Sequence, residues 1–273
     1  MSAVRIGTSG WSYPGWRKGV FYPSGLRAAK ELSYLAATLN SAEINGSFYS
    51  LQRPATYRSW AQQTPDDFQF AVKGGRYITH MRRLRDVDRA LANFFASGVL
   101  LLGRRLGPVL WQLPATFTPD LDLLTSFLTS LPRSTAEMAE QAKGHDGRLA
   151  DRVVTEADED LPVRHALELR NDLVFDSRVL DLLRRQAVAL VISDGAGQWP
   201  MANEATADFS YVRLHGSREL YASDYTAAEL RAWSGRVVDW RSRGREVFVY
   251  FDNDGEAHAP HNAITLRRYV DDS

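Results

Sequence analysis

Short apolar runs, each bounded by Gly, Pro or polar residues, recur along the whole chain. Such runs are typical of β-strands whose two faces are both covered, because those strands need no alternation of polar residues. They predict eight strands, over residues 3–8, 41–45, 68–75, 107–114, 164–170, 188–194, 210–216 and 246–254.

Apolar residues at helical spacing follow most of these runs. One helix has Pro54 in its first turn, and Thr226 with Glu229 forms a capping box at the start of another. The predicted helices lie around 32–39, from 54, around 91–95, over 121–131, from 226, and over about 260–270. Two stretches differ: 132–160 is a polar insertion before the fifth strand, and 195–208 contains no helical pattern.

The order of these elements predicts the fold. Eight strand–helix units in 273 residues predict a TIM (β/α)8 barrel formed by a single domain, residues 1–273. A doubly wound open sheet is the alternative, but no GxGxxG motif follows the first strand. Because 195–208 lacks a helical pattern, we expect a missing or irregular helix after the sixth strand.

Composition excludes several classes of protein. Acidic and basic residues balance at 33 each, which is not typical of a chain that coats nucleic acid or an anionic membrane. The absence of cysteine excludes disulfides, thiolate metal sites and cysteine nucleophiles. The first residues have no apolar signal core, and no run approaches transmembrane length, so we expect a cytoplasmic protein without a membrane partner.

Polar side chains stand where the predicted strands end. In a TIM barrel the carboxyl ends of the strands meet at one face, where the chemistry is located. We therefore expect one shared cavity for the side chains of Glu43, Lys73, Glu168, Arg170, Asp194 and Arg213. Two plainer interpretations stay open, namely strand ends solvated by water and a purely structural charge network.

Seven motifs in the same order make the chain resemble the YecE-like family, the domain of unknown function numbered 72. They are GTSGWSYPGW, EINGSFYSL, FAVKGGRYITH, GPVLWQLP, HALELR, YVRLHG and VYFDND, and they extend over nearly the whole chain. The resemblance implies a fold similar to TIM barrels and brings no established reaction. In the last motif the family more often has Asn where this chain has Asp252.

The carboxylates are candidates for acid–base catalysis. Glu43, Glu168 and Asp194 in one enclosed mouth would raise the pKa of at least one of them, as a general acid requires. Two such groups across a cleft also suit a glycosidase.

Lys73 follows an apolar run, and a desolvated lysine can act as a base or as a Schiff-base nucleophile. The favoured interpretation is instead an ion pair with Glu43 on the neighbouring strand.

The remaining polar and aromatic candidates are assigned to substrate binding. Arg170 and Arg213, with Lys73, would bind negative charge, and the mouth should capture phosphate or sulfate. Trp11, Trp16 and Tyr49 offer an aromatic platform, although packing at the barrel rim is the favoured interpretation. The other candidates are Asn45, His80, Gln112, His215 and Asn253.

We expect no cofactor. A divalent metal held by Glu43, Glu168, Asp194 and His215 is an alternative that the three nearby cations disfavour and no HxH or HExxH spacing supports. No P-loop and no GxSxG motif occurs.

The leading hypothesis is therefore an enzyme that performs acid–base chemistry on a small polar anion, either polyhydroxylated or phosphorylated. A nucleic-acid-processing barrel and a binding protein without turnover are the alternatives. The oligomeric state and the role of the insertion are not determined by the sequence.

Overall fold

The computed structural model describes residues 2–150 and 152–273. Eight parallel strands pair in chain order, and the first pairs with the last, so the sheet closes into a barrel. The strands are β1 (Val4–Ser9), β2 (Ser41–Ile44), β3 (Gln69–Lys73), β4 (Leu106–Gln112), β5 (His165–Glu168), β6 (Val188–Asp194), β7 (Phe209–Leu214) and β8 (Glu246–Phe251). The predicted TIM barrel is confirmed.

Helices surround the barrel on its outer face. They are α1 (Glu31–Ala36), α2 (Gly46–Tyr49), α3 (Pro54–Gln62), α4 (Asp88–Ala96), α5 (Leu121–Thr129), α6 (Thr135–Ala142), α7 (Ser177–Arg185), α8 (Ala227–Ser242) and α9 (His258–Asp271). Pro54 opens α3 and the Thr226–Glu229 capping box opens α8, as the sequence predicts. No helix of the described residues is long and apolar enough to cross a bilayer.

The two irregular stretches also match expectation. Residues 195–208 contain no helix. The insertion carries α6 and is attached to α4 through backbone contacts: the Asp146 amide donates to Asn93 Oδ1 at 2.9 Å, and the Val154 amide donates to the Ala96 carbonyl at 2.8 Å. This part of the insertion therefore extends the outer helical layer.

Strand alternation determines which side chains enter the barrel. The lower part of the interior is filled by small and aromatic residues, Ala71, Leu110, Ala166, Ala189, Val191, Phe209, Tyr211, Phe248 and Tyr250. Because side chains two positions apart share a face, the next inward positions towards the carboxyl ends form a polar layer. Each strand contributes one residue to it: Ser9, Glu43, Lys73, Gln112, Glu168, Ser193, Arg213 and Asp252.

Candidate functional site

Arg213 lies at the centre of the polar layer and has no exposed surface. Its Nη2 donates to Glu43 Oε1 at 2.8 Å and to Asp252 Oδ2 at 2.8 Å. Its Nη1 donates to Glu168 Oε2 at 2.9 Å, and its Nε donates to Glu43 Oε2 at 3.1 Å. One guanidinium thus neutralises part of the charge on three carboxylates from three strands. We call these four residues the Arg213 cluster.

Neutral donors complete the hydrogen bonds of the Arg213 cluster. The Tyr211 hydroxyl donates to Glu43 Oε2 at 2.6 Å, and the Ser9 hydroxyl donates to Glu43 Oε1. The Ser193 hydroxyl donates to Glu168 Oε1 at 3.1 Å. His215 Nδ1 lies 2.9 Å from Asp252 Oδ2 but makes no hydrogen bond. A buried carboxylate is costly unless its oxygens are satisfied, and both oxygens of Glu43 and of Glu168 are satisfied.

Two carboxylates of the cluster, Glu168 and Asp252, have lowered pKa values. Burial alone would raise the pKa of Glu168, but Arg170 and Arg213 more than compensate and hold it well below its ordinary value. The same opposition between burial and Arg213 leaves the pKa of Asp252 lowered. The sequence predicted that crowding would raise at least one carboxylate pKa; for Glu168 this is wrong, because the cations lie in direct contact with it. A permanently ionised Glu168 is a poor general acid.

Lys73 differs from every other charged group in the polar layer. The predicted ion pair with Glu43 is wrong, because Arg213, Ser9 and Tyr211 occupy both oxygens of Glu43. Within residues 2–150 and 152–273, the Lys73 Nζ atom has no carboxylate at ion-pair distance. It lies instead 4.4 Å from the centre of the Phe48 ring. Burial, reinforced by Arg213, lowers the pKa of Lys73 to about 8.

Arg170 lies above Glu168, nearer to solvent. Its Nε donates to Glu168 Oε1 at 2.7 Å and its Nη1 donates to the Tyr221 hydroxyl at 3.2 Å. The guanidinium carbon also lies 4.0 Å from the centre of the Trp199 ring, a stacking contact that orients the fork. A methyl group at Gly195 would come within 2.2 Å of that ring, so only glycine allows Trp199 to sit there.

His80 lies on the loop after β3, in a π-helical turn over Tyr77–Met81. Its Nδ1 is 2.9 Å from the Thr79 hydroxyl, and its ring meets the Phe48 ring edge-on at 5.1 Å. Burial, then the neighbouring Lys73 and Arg170, lower the pKa of His80. At neutral pH the imidazole is therefore uncharged and able to exchange a proton.

Two of the predicted site residues, Asp194 and Asn253, each follow in sequence a residue of the polar layer and do not themselves belong to that layer. Asp194 was expected to join the shared cavity, but strand alternation points Ser193 inward, and Asp194 instead accepts a hydrogen bond from the Tyr225 hydroxyl at 3.0 Å. Asn253 likewise follows the inward Asp252 and donates to the Ser223 carbonyl at 2.9 Å. Both residues attach loops to the barrel, so neither completes the predicted cavity.

The predicted aromatic platform does not form over the mouth. Trp11 packs edge-on against Trp60 of α3 at 5.3 Å and lies 6.0 Å from Phe70 on the outer face of the sheet. Tyr49 is 70% exposed and lines a neighbouring cavity of about 430 Å³ together with Phe48 and Tyr77. Rim packing, the second interpretation from the sequence, describes Trp11.

Two of the three predicted amides lie beside the Arg213 cluster. Asn45 donates through Nδ2 to the Ser9 hydroxyl at 2.9 Å, and its buried Oδ1 accepts no hydrogen bond from any described residue. Gln112 donates through Nε2 to the Leu113 carbonyl at 3.0 Å. Gln112 therefore keeps an acceptor oxygen, whereas the acceptor oxygen of Asn45 is enclosed by the protein.

Several residues of the site are absent from the sequence-based selection. Ser193 and Asp252 lie two positions after the inward residues Val191 and Tyr250, and Ser9 ends β1, so this signal was present but was not used. Phe48 comes from the short helix α2 and Trp199 from a loop, and nothing in the sequence places them against a cation. No group of three or more His, Asp or Glu side chains among the described residues is arranged to hold a metal ion.

The chain matches known proteins over its whole length. The family model described as "Protein of unknown function DUF72" matches residues 5–273. The chain is 31% identical to UPF0759 protein YecE of Escherichia coli (strain K12) over 269 residues, which cover 96% of this chain and 91% of that protein. It is 24% identical to UPF0759 protein YunF of Bacillus subtilis (strain 168), over 98% of this chain and 95% of that one.

Solved structures agree with the fold. A DUF72 family protein from Thermotoga maritima superposes with a TM-score of 0.75 at 24% identity, and the match covers 98% of this chain and 99% of that one. A second, from Enterococcus faecalis, gives a TM-score of 0.74 at 18% identity, with 98% and 95% covered. The family match and the level of identity to YecE together lead to one conclusion. This chain belongs to the DUF72 family of proteins of unknown function.

Proposed function

We propose that this protein is an enzyme that performs acid–base chemistry on a small polar anion at the mouth of the barrel, with Lys73 as the principal proton carrier. The observation that supports the proposal is the unpaired, almost buried amine of Lys73, whose pKa is lowered to about 8. At pH 7 about one such amine in ten is neutral, against about four in ten thousand for an ordinary lysine. A group poised near the working pH is what general acid–base catalysis requires.

The carboxylates take a different role from the one that the sequence suggested. Glu43 and Glu168 have no exposed side-chain surface and are bound to Arg213, which makes them fixed counter-charges. Arg213 is itself saturated by its partners, so it is not available to bind a substrate anion. The reactive and binding groups are then the ones above this layer.

Two cations of the mouth remain for an anionic substrate. The side chain of Arg170 is 12% exposed, and Lys73 is 8% exposed, whereas the side chains of Glu43 and Glu168 are fully buried. The side chain of Asp252 is also 12% exposed, so a phosphate or carboxylate entering from solvent meets these two cations and one carboxylate that is already paired with Arg213. His80, neutral and half-buried beside both cations, can carry the second proton that an acid–base cycle needs.

Proton exchange with solvent tests this proposal without knowledge of the product. We expect the protein in D2O to exchange C–H protons of at least one member of a panel of phosphorylated and polyhydroxylated carbonyl compounds, detected by proton NMR. Lys73→Met should slow this exchange by at least about a hundredfold, the low end of a general base contribution. Inorganic phosphate should compete with the substrate.

Lys143→Met is the matched control, because Lys143 is exposed and pairs only with Glu140. It should exchange at the wild-type rate. Equal exchange by wild type and Lys73→Met would exclude Lys73 as the proton carrier. Panel compounds that bind but never exchange would show that the protein is a binding protein instead.

A further inference from the structure

Lys73 is buried, whereas the other lysines of this chain are exposed. The chain has four lysines, and Lys18, Lys30 and Lys143 are all exposed. A lysine that is only structural usually extends into solvent or pairs with a carboxylate, because a buried unpaired charge is costly. Lys73 does neither, although three carboxylates lie in the same polar layer.

The site is built so that the carboxylates do not reach this amine. Arg213 binds Glu43, Glu168 and Asp252, and Arg170 binds Glu168 a second time. The face of the Phe48 ring covers one side of the Lys73 amine, at 4.4 Å. The ring face favours the ammonium form, but burial and the nearby Arg213 outweigh it and lower the pKa of Lys73, so part of the amine is neutral, which is the form that attacks carbon.

The backbone that carries Lys73 is held firmly. Lys73 ends β3, where it pairs with Leu110 of β4, and its carbonyl accepts a hydrogen bond from the Ser47 hydroxyl at 2.6 Å. Ser47 also donates to the Ile44 carbonyl at 3.0 Å, which links the loop after β2 to the same point. Phe48 is the next residue, so the amine and the ring that covers it are fixed together.

We propose that Lys73 forms a Schiff base with the carbonyl carbon of a small anionic aldehyde or ketone, such as a 2-oxo acid or a phosphorylated sugar. This inference rests on the proposed function and gives it a substrate class. Arg170, stacked on Trp199 and bonded to Tyr221, would hold the anionic group at the rim while the carbonyl reaches the amine.

The chemistry balances without an added reagent. The ammonium first loses one proton, and the amine nitrogen then adds to the carbonyl carbon, breaking the C=O π bond to give a carbinolamine. A second proton leaves nitrogen and the oxygen departs as water, so the sum is R–NH3⁺ plus O=C giving R–NH⁺=C plus H2O. His80 is suited to carry these protons, because it is neutral and lies near both Lys73 and Arg170. The iminium then withdraws electrons from the neighbouring C–H bond, which promotes the proton exchange proposed above; in this step His80 takes up the C–H proton, because the Lys73 nitrogen is bonded to carbon.

Reductive trapping tests the inference. Pyruvate, glyoxylate and glycolaldehyde phosphate are incubated separately with the full chain and sodium cyanoborohydride, with uncharged glycolaldehyde as a comparison, and adducts are located by peptide mass spectrometry. We expect Lys73 to be labelled by at least one anionic probe at least tenfold faster than Lys18, Lys30 or Lys143, and faster by that probe than by glycolaldehyde.

The Lys73→Arg variant tests whether Lys73 acts as a nucleophile or only as a positive charge. Arginine keeps the cation but cannot form the imine, so this variant should still bind phosphate and should lose the fast label. Equal labelling of all four lysines, or no adduct at Lys73 with any probe, would overturn the Schiff base. If solvent exchange is then still lost in Lys73→Met, the acid–base proposal stands alone; if exchange never depended on Lys73, both proposals fail.

Discussion

Replacing Arg213 with Met is expected to destabilise the protein by more than about 3 kcal/mol, and it is the most damaging single substitution that we foresee. The reason is that Arg213 is the shared counter-ion of Glu43, Glu168 and Asp252, so its removal leaves buried carboxylates facing one another. Chemical denaturation at pH 7 measures the loss, and failure to fold is its extreme form.

A compensated variant keeps this prediction testable when the single variant does not fold. Arg213→Met combined with Glu43→Gln, Glu168→Gln and Asp252→Asn should regain most of the lost stability, because a neutral interior removes the burial cost of the charges. Arg170→Met, which removes a contact with only one carboxylate, should cost clearly less. A stable Arg213→Met protein, within about 1 kcal/mol of wild type, would show that the cluster does not stabilise the fold as described.

Glu168→Gln is expected to lower the free energy of unfolding by about 3 kcal/mol at pH 7. Glu168 is fully buried and accepts hydrogen bonds from Arg170, Arg213 and Ser193. A glutamine keeps the shape but leaves two guanidinium groups short of a counter-charge. Asp194→Asn is the control, since among the described residues Asp194 accepts hydrogen bonds from the Tyr225 hydroxyl and the Ala196 amide alone, and it should cost about 1 kcal/mol or less.

The difference in stability between wild type and Glu168→Gln has a predictable pH dependence. The folded-state pKa of Glu168 lies below its unfolded value, so its stabilisation is fully present above the unfolded pKa of about 4.3 and is lost as the pH falls through the folded value. The difference in stability between wild type and Glu168→Gln should therefore shrink steadily below pH 4. A melting temperature that is unchanged or higher in Glu168→Gln at pH 7 would mean that the carboxylate is kept for function at a cost in stability.

The fold was predictable because the signals for it are local. Each of the eight apolar runs becomes a strand, and the lack of helical pattern in 195–208 correctly indicates the missing helix. Arg213, Glu43 and Glu168 were also found from the sequence, because a charged residue on the inward side of a buried strand must find a partner nearby. The period of two places such residues in the same layer.

The sequence did not determine which of the nearby cations pairs with which carboxylate. Both Lys73 and Arg213 are near enough to Glu43 for pairing to be plausible, and only the register across the closed barrel decides for Arg213. Asp194 was chosen over Ser193 because it is charged, although alternation favours Ser193. Phe48 belongs to the short helix α2 and Trp199 to a loop, and tertiary contacts determine where these two segments lie.

These observations divide the charged and titratable groups of the site into two sets with different physical roles. In the Arg213 cluster, Glu43 and Glu168 are fully buried and paired with Arg213, and Asp252 is paired with Arg213 and 12% exposed, so the cluster forms a floor of paired charges. Lys73, Arg170 and His80 lie at the edge of that floor and retain unused hydrogen-bonding capacity towards solvent. The proposal that this protein is an enzyme depends on the second group, and on Lys73 above all.

The ionisation of Lys73 tests this account most directly. With lysine labelled with carbon-13 at the ε position, the chain gives only four signals, and Lys73→Arg identifies the one of interest. We predict that the Lys73 signal titrates near 8, well below the signal of Lys143, whose pKa is raised by its contact with Glu140. A Lys73 signal that titrates together with that of Lys143 would mean that the amine is an ordinary ammonium ion at neutral pH, and it would contradict the central claim.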